Sequence, residues 1–149
     1  MSPPERRFTV RWSDVDANGH MRHTSFLEFG AEVRIALFQE CGFGWKRFEE
    51  AGLGPVLLRE EIDYLREAAL GEEVRVTAEA AGLSPDGARW KVRHLLYDSA
   101  GREMARITAL GGFIDLSARK LTVPPAELAA GLSRLPRTAD FEELKPLRR

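Results

Sequence analysis

Within ten residues, Asp14-Val-Asp16-Ala-Asn-Gly19-His20-Met-Arg-His23 collects two carboxylates, a glycine and two imidazoles. The run lies between a strand-like alternation and a long helical pattern, where the first amides of the helix have no intrahelical partner. Those N–H groups, with the partial positive charge of the helix end, can polarise a carbonyl oxygen. A carboxylate beside them can attack the carbonyl carbon or activate a water against it. The combination suits acyl transfer. Asp16 is the candidate carboxylate, and an Asx-type turn ahead of the helix is its purely structural alternative. Asp14 points elsewhere if the strand geometry persists, and reads as a turn residue. Gly19 permits positive φ and close approach of a substrate to the backbone. His23 can position water or hydrogen-bond Asp16, whereas His20 reads as a loop histidine supporting the turn.

Asp14, Asp16, His20 and His23 also have the donor types of a transition-metal site. Their spacing is no established zinc pattern and no cysteine joins them, so no metal is expected. Cys41 falls at the far end of the helix and reads as a small buried hydrophobe. His94 shares a strand face with Trp90 and Val92, which makes it a packing residue. Glu28, Glu32 and Glu40 follow helical spacing, and Glu28 is explained as part of a cap. Arg59, Arg66, Arg89, Lys91 and Arg93 each read equally as a phosphate partner or as part of a solvated sheet face.

The elements that must position these groups follow from periodicity. Phe8-Thr-Val-Arg-Trp12 alternates as a strand does. From Ser25 the apolar residues Phe26, Phe29, Val33, Ala36 and Leu37 recur at helical spacing, with Ser25 and Glu28 set as a capping box and Gly42 as the stop. Gly52-Leu-Gly-Pro55 reads as a turn. Strands are expected over Val56–Tyr64, Glu73–Ala81, Ala88–Tyr97 and Glu103–Asp115, separated by Gly71-Glu72, Ser84-Pro-Asp-Gly87 and Asp98-Ser-Ala-Gly101. Connections this short make the sheet antiparallel. Pro124-Pro-Ala-Glu-Leu-Ala-Ala starts a short helix, and Leu135–Arg149 reads as a loosely attached tail. The order predicts an α+β layer with one helix on a sheet.

Together with Phe26-Leu27-Glu28-Phe29, the Asp14–His23 loop resembles that of the hotdog-fold acyl-CoA thioesterases of the 4-hydroxybenzoyl-CoA thioesterase type. Glu61-Ile-Asp-Tyr64, Arg66-Glu-Ala68 and Gly71-Glu72-Glu73-Val74 are similar to the family's second and third strands around their turn, with Glu67 where the family often has proline. The resemblance covers residues 7 to 120. It implies a hotdog domain, with one long central helix packed on an antiparallel sheet of about five strands. It also implies hydrolysis of an acyl-CoA thioester to free acid and CoA, with Asp16 as nucleophile or general base. Gly19 and the amides of His23 and Thr24 would hold the carbonyl oxygen, the His23 side chain would assist, and no cofactor is required. A homodimer or homotetramer is implied, with the acyl chain between subunits. Two other readings stand beside this one. A non-catalytic acyl-CoA-binding or regulatory module would use Asp16 only for the turn. An acyl-carrier-protein thioesterase would meet the same phosphopantetheine arm. A hotdog dehydratase is disfavoured, because its Asp/His pair is not apparent.

The whole chain is consistent with these expectations. Its 149 residues make one domain, with a small helix and tail after the core. A net charge of −1 argues against general affinity for nucleic acid or an anionic membrane. One cysteine excludes an internal disulfide and suits a reducing cytoplasm. No signal-peptide stretch opens the sequence, and no apolar run approaches the ~20 residues of a membrane span.

Overall fold

The computed structural model describes residues 3–147. Met1, Ser2, Arg148 and Arg149, which belong to the segments read above as a leaderless N-terminus and a tail, lie outside the described residues. Strand β1 (Glu5–Thr9) and a single 3-10 turn (Trp12–Asp14) lead into helix α1 (His23–Glu40), then helix α2 (Trp45–Ala51) and strand β2 (Leu53–Tyr64). Strands β3 (Glu73–Thr77), β4 (Glu79–Leu83), β5 (Arg89–Tyr97) and β6 (Glu103–Asp115) follow. The two-residue β7 (Lys120–Leu121), helix α3 (Ala126–Ser133) and strand β8 (Arg137–Glu143) close the chain.

The main sheet runs β1, β3 with β4, β5, β6, β2, all antiparallel. The expected Glu73–Ala81 strand exists as two pieces that pair with the same neighbour, β5. β5 alternates strictly: Trp90, Val92, His94 and Leu96 are buried, and the intervening residues are half-buried. That buried face receives α1, whose Phe26, Phe29, Val33, Leu37 and Phe38 are also buried. Each such side chain taken from water contributes roughly 1.5–3 kcal/mol, so this one interface supplies most of what fixes the helix. Close approach is set by small residues. A Cβ at Gly111 would lie 2.2 Å from the Trp90 ring, and one at Gly30 would lie 3.1 Å from Ile107.

Several expectations are corrected. Helix α1 starts at His23, and the Ser25–Glu28 capping box does not form. Ser25 is buried and gives its hydroxyl to Asp14 Oδ1 at 3.1 Å, because a nearer carboxylate outcompetes the local cap. Gly42 does follow the helix, with φ +80°. Helix α2 was not legible, as its seven residues are too short to show a clear period. Of the expected turn at 52–55, only Gly52 (φ +71°) is turn-like, ending α2, while Leu53–Pro55 already pair with β6. The tail is not loose. β8 lies parallel to β4, Leu135 is buried, and the Leu147 amide reaches Asp86 Oδ2 at 3.0 Å. Among the described residues no helix is long and apolar enough to cross a membrane.

Candidate active site

The Asp14–His23 loop is built from its backbone outward. Val15 bridges to Met21, and His20 bridges to Ala69 just before β3. Asp14 is buried and anchors the loop. Its carboxylate accepts the Arg11 amide at 2.9 Å and the Arg11 guanidinium at 3.0 and 3.2 Å, as well as the Ser25 hydroxyl. The Arg11 hydrogen bond, opposed by burial, holds the Asp14 carboxyl below the usual carboxylate range. The Asp14 carbonyl accepts the Arg22 amide at 2.7 Å, tying the loop to the first turn of α1. Asp14 is therefore the structural acid that the sequence suggested.

Asp16 is exposed, and its Oδ1 accepts the amides of Asn18 at 2.9 Å and His20 at 3.2 Å. The Asx turn is real. It occupies one carboxylate oxygen and leaves Oδ2 without a hydrogen-bond partner among the described residues. Gly19 adopts φ +79°, and its amide is consumed by the Asp16 carbonyl at 3.1 Å. Its part is thus conformational. The amides of His20, Met21 and Arg22 are also taken, by Asp16, Ala68 and Asp14. The Ser25 amide turns to the Arg22 carbonyl. His23 and Thr24, the first two residues of α1, keep amides with no acceptor among the described residues, as a helix start demands.

Of these groups, Asp16 and His23 line one cleft of about 410 Å³, a size ordinary for a ligand site. Asp16, His20, His23 and Phe26 line it from the loop and α1; Tyr64, Arg66 and Glu67 line it from the end of β2 and beyond. Tyr64 donates its hydroxyl to the His23 carbonyl at 3.2 Å and meets Phe26 edge to face at 5.1 Å. Burial, then the charge of Glu60, raises the Tyr64 phenol above its ordinary range, so it stays protonated at neutral pH. His20 Nε2 stands 2.8 Å from Glu67 Oε2. The loop histidine is thus held by Glu67, which follows β2. The sequence offered Arg66 as a possible phosphate partner but did not place Tyr64 or Glu67 at the site, because contacts between distant segments, Met21 with Ala68 and His20 with Ala69 among them, bring this wall to the loop.

The remaining candidates are dispersed. Among the described residues no three acids, histidines or cysteines gather as metal ligands. Asp14 is turned inward to Arg11 and Ser25, away from His20 and His23. Cys41 is buried at the far end of α1, where burial pushes its thiol up to about 11. His94 is buried, as a packing residue should be, yet both ring nitrogens are engaged. Arg59, Lys91 and Arg93 pair with Glu61, Glu142 and Asp140. Arg66 lines the cleft with no side-chain partner among the described residues.

Comparison with known proteins bears on this arrangement. Residues 10–132 match the thioesterase-like superfamily. The chain belongs to that superfamily. No curated protein matches it. Among solved structures it is similar to SAV2348 of Staphylococcus aureus, determined in complex with CoA, at 20% identity, with 89% of this chain and 82% of that one covered and a TM-score of 0.82. It is also similar to Slr0204, a 1,4-dihydroxy-2-naphthoyl-CoA thioesterase from Synechocystis (16% identity; 89% and 97% covered; TM-score 0.78). A thioesterase of Thermus thermophilus, complexed with CoA and Zn, is 26% identical, with 86% and 95% covered and a TM-score of 0.72. The fold of this superfamily member is thus the expected α+β hotdog.

Proposed function

We propose that this thioesterase-superfamily member hydrolyses an acyl-CoA thioester to a free acid and CoA at the Asp16 cleft. One observation carries the reading: a carboxylate with an uncommitted oxygen lines the same cleft as His23, whose uncommitted amide begins α1 next to that of Thr24. The amides of His23 and Thr24 bind the developing oxyanion. Asp16 either attacks the carbonyl carbon or removes a proton from the attacking water, and CoA leaves as the thiolate. A thioester is already electrophilic with a good leaving group, so a carboxylate and an oxyanion hole suffice without metal or cofactor. The His23 side chain, on the same wall, positions the water. Arg66 on the cleft wall is the cation available to a CoA phosphate. CoA, or in one case a CoA thioester, is named for the similar proteins, which supports CoA over acyl-carrier protein as the carrier. The 4-hydroxybenzoyl-type subfamily, a cytoplasmic location and assembly through the β2 edge complete the proposal.

CoA release from short, medium, long and aromatic acyl-CoAs tests the reading. Turnover of at least one of them is expected. Binding of acyl-CoAs with no release of thiol would contradict hydrolysis and favour the binding module, in which the Asx turn is the whole role of Asp16.

A further inference from the structure

Tyr64 lines the Asp16 cleft from the end of β2, and the reaction above gives it no task. Its hydroxyl has one hydrogen-bond partner among the described residues, the His23 carbonyl at 3.2 Å. That oxygen belongs to the same peptide group as the Thr24 N–H. The two ends are joined through a planar, resonance-stabilised C–N bond, so charge drawn toward the oxygen leaves the N–H more positive. A carbonyl has two lone pairs, and the hydroxyl takes one beside the helix's own donor four residues on. The Tyr64 hydrogen bond therefore reaches one of the two amides that hold the oxyanion in the reaction above.

The hydroxyl is carried on a rigid support. Tyr64 pairs with the buried Ala105 of β6, and the next two amides, of Leu65 and Arg66, both go to the Met104 carbonyl, at 2.9 and 3.0 Å. The ring stands edge to face against Phe26, three residues beyond His23 on α1. Backbone and ring are thus fixed on two elements although the residue is 47% exposed, and the donor is in place before substrate arrives. Burial, then the charge of Glu60, keeps the phenol protonated at neutral pH, as a donor must be.

We propose that Tyr64 is a positioning residue of the hydrolase: its hydroxyl fixes and polarises the His23–Thr24 peptide group, which makes the Thr24 N–H a stronger donor to the oxyanion. It acts through the backbone and transfers no proton. The inference rests on the thioesterase reading above and adds a residue to its oxyanion hole. Negative charge on the substrate oxygen is greatest in the transition state, so the effect falls on kcat and leaves KM alone. Its size follows from two magnitudes. An oxyanion donor is worth about 10²–10³ in kcat, and a neighbouring hydrogen bond strengthens the next by roughly 10–30%. That fraction of the donor's free energy is about two- to eightfold in rate.

The test compares the native protein, Tyr64→Phe, and a protein with 3-fluorotyrosine at position 64, on whichever acyl-CoA the native protein hydrolyses best. Tyr64→Phe keeps the ring and its contact with Phe26 and removes only the hydroxyl. Its kcat is expected about two- to eightfold below native, with KM and melting temperature unchanged. 3-Fluorotyrosine has the more acidic phenol and is the stronger donor. At slightly acidic pH, where both phenols keep their protons, it is expected to raise kcat above native at the same KM. A hydroxyl that merely braced the fold would give native and fluorinated proteins the same kcat. Equal kcat in those two, equal kcat in all three, or a change confined to KM would overturn the role of Tyr64 and leave the hydrolase reading intact. A native protein that hydrolyses no thioester would overturn the hydrolase reading, and the role of Tyr64 with it.

Discussion

At the residue scale the two acids of the loop have separate tasks because their surroundings differ. Asp14 is enclosed and saturated with donors, so it holds the loop to α1. Asp16 is exposed, spends one oxygen on the turn and keeps the other for the cleft. Asparagine retains the accepting oxygen and lacks only the carboxylate, so Asp16→Asn separates chemistry from turn formation. His94 makes a different prediction, one of stability. Burial and the neighbouring Arg34 charge lower its pKa from 6.5 to about 3. The folded-state value is depressed, so between those limits the unfolded chain takes up a proton that the folded chain refuses. The contribution of neutral His94 is whole above pH 6.5 and is lost as the pH falls below it. Urea unfolding between pH 6 and 4 is therefore expected to show a loss approaching ~1.4 kcal/mol per pH unit from this group, which a His94→Gln variant lacks. Equal slopes in the two proteins would contradict the neutral tautomer. The sequence marked His94 as packing but could not show its polar partners, since Thr77 and Arg34 lie on other elements.

At the element scale the fit between β5 and β6 depends on one missing side chain. Trp90 lies opposite Gly111 and gives its indole N–H to the Gly112 carbonyl at 3.0 Å. A methyl at Gly111 would also come within 2.5 Å of the Val56 carbonyl, so neither neighbour can yield without moving a strand. Gly111→Ala is expected to cost at least about 2 kcal/mol in chemical denaturation. Gly54→Ala, where a Cβ meets nothing, serves as the control. Equal stabilities would refute the packing argument. The antiparallel strands were legible, because period-two alternation and turn residues are local signals. The exact start of α1 was not, since Ser25 answers to Asp14 rather than to its own helix end. Strand β8 was also hidden. Its exposed, charged residues carry no apolar period, and it is held by backbone pairing to β4 and by the buried Leu135.

At the scale of the whole molecule, β2 is an edge strand of twelve residues, paired only with β6 among the described residues. Leu57 and Leu58 on it are 42% and 47% exposed, an arrangement that a monomer has reason to avoid. Sedimentation equilibrium is expected to give at least twice the 16.7 kDa chain mass. A Leu58→Glu variant should shift the distribution toward monomer. A native monomer at micromolar concentration would contradict assembly through this edge. The α+β plan and the Asp14–His23 loop were readable from the chain alone because both are contiguous. The cleft's opposite wall, formed by Tyr64, Arg66 and Glu67, depends on the closure of β2 toward α1 and had no local signature.

The central claim is that the Asp16 carboxylate does the chemistry. Its most direct measurement is kcat/KM for CoA release by Asp16→Asn and the native protein on the best thioester, with melting temperatures taken alongside. The predicted result is a loss of at least about a hundredfold at an unchanged melting temperature. Turnover within a few-fold of native in the folded variant would remove Asp16 from the mechanism.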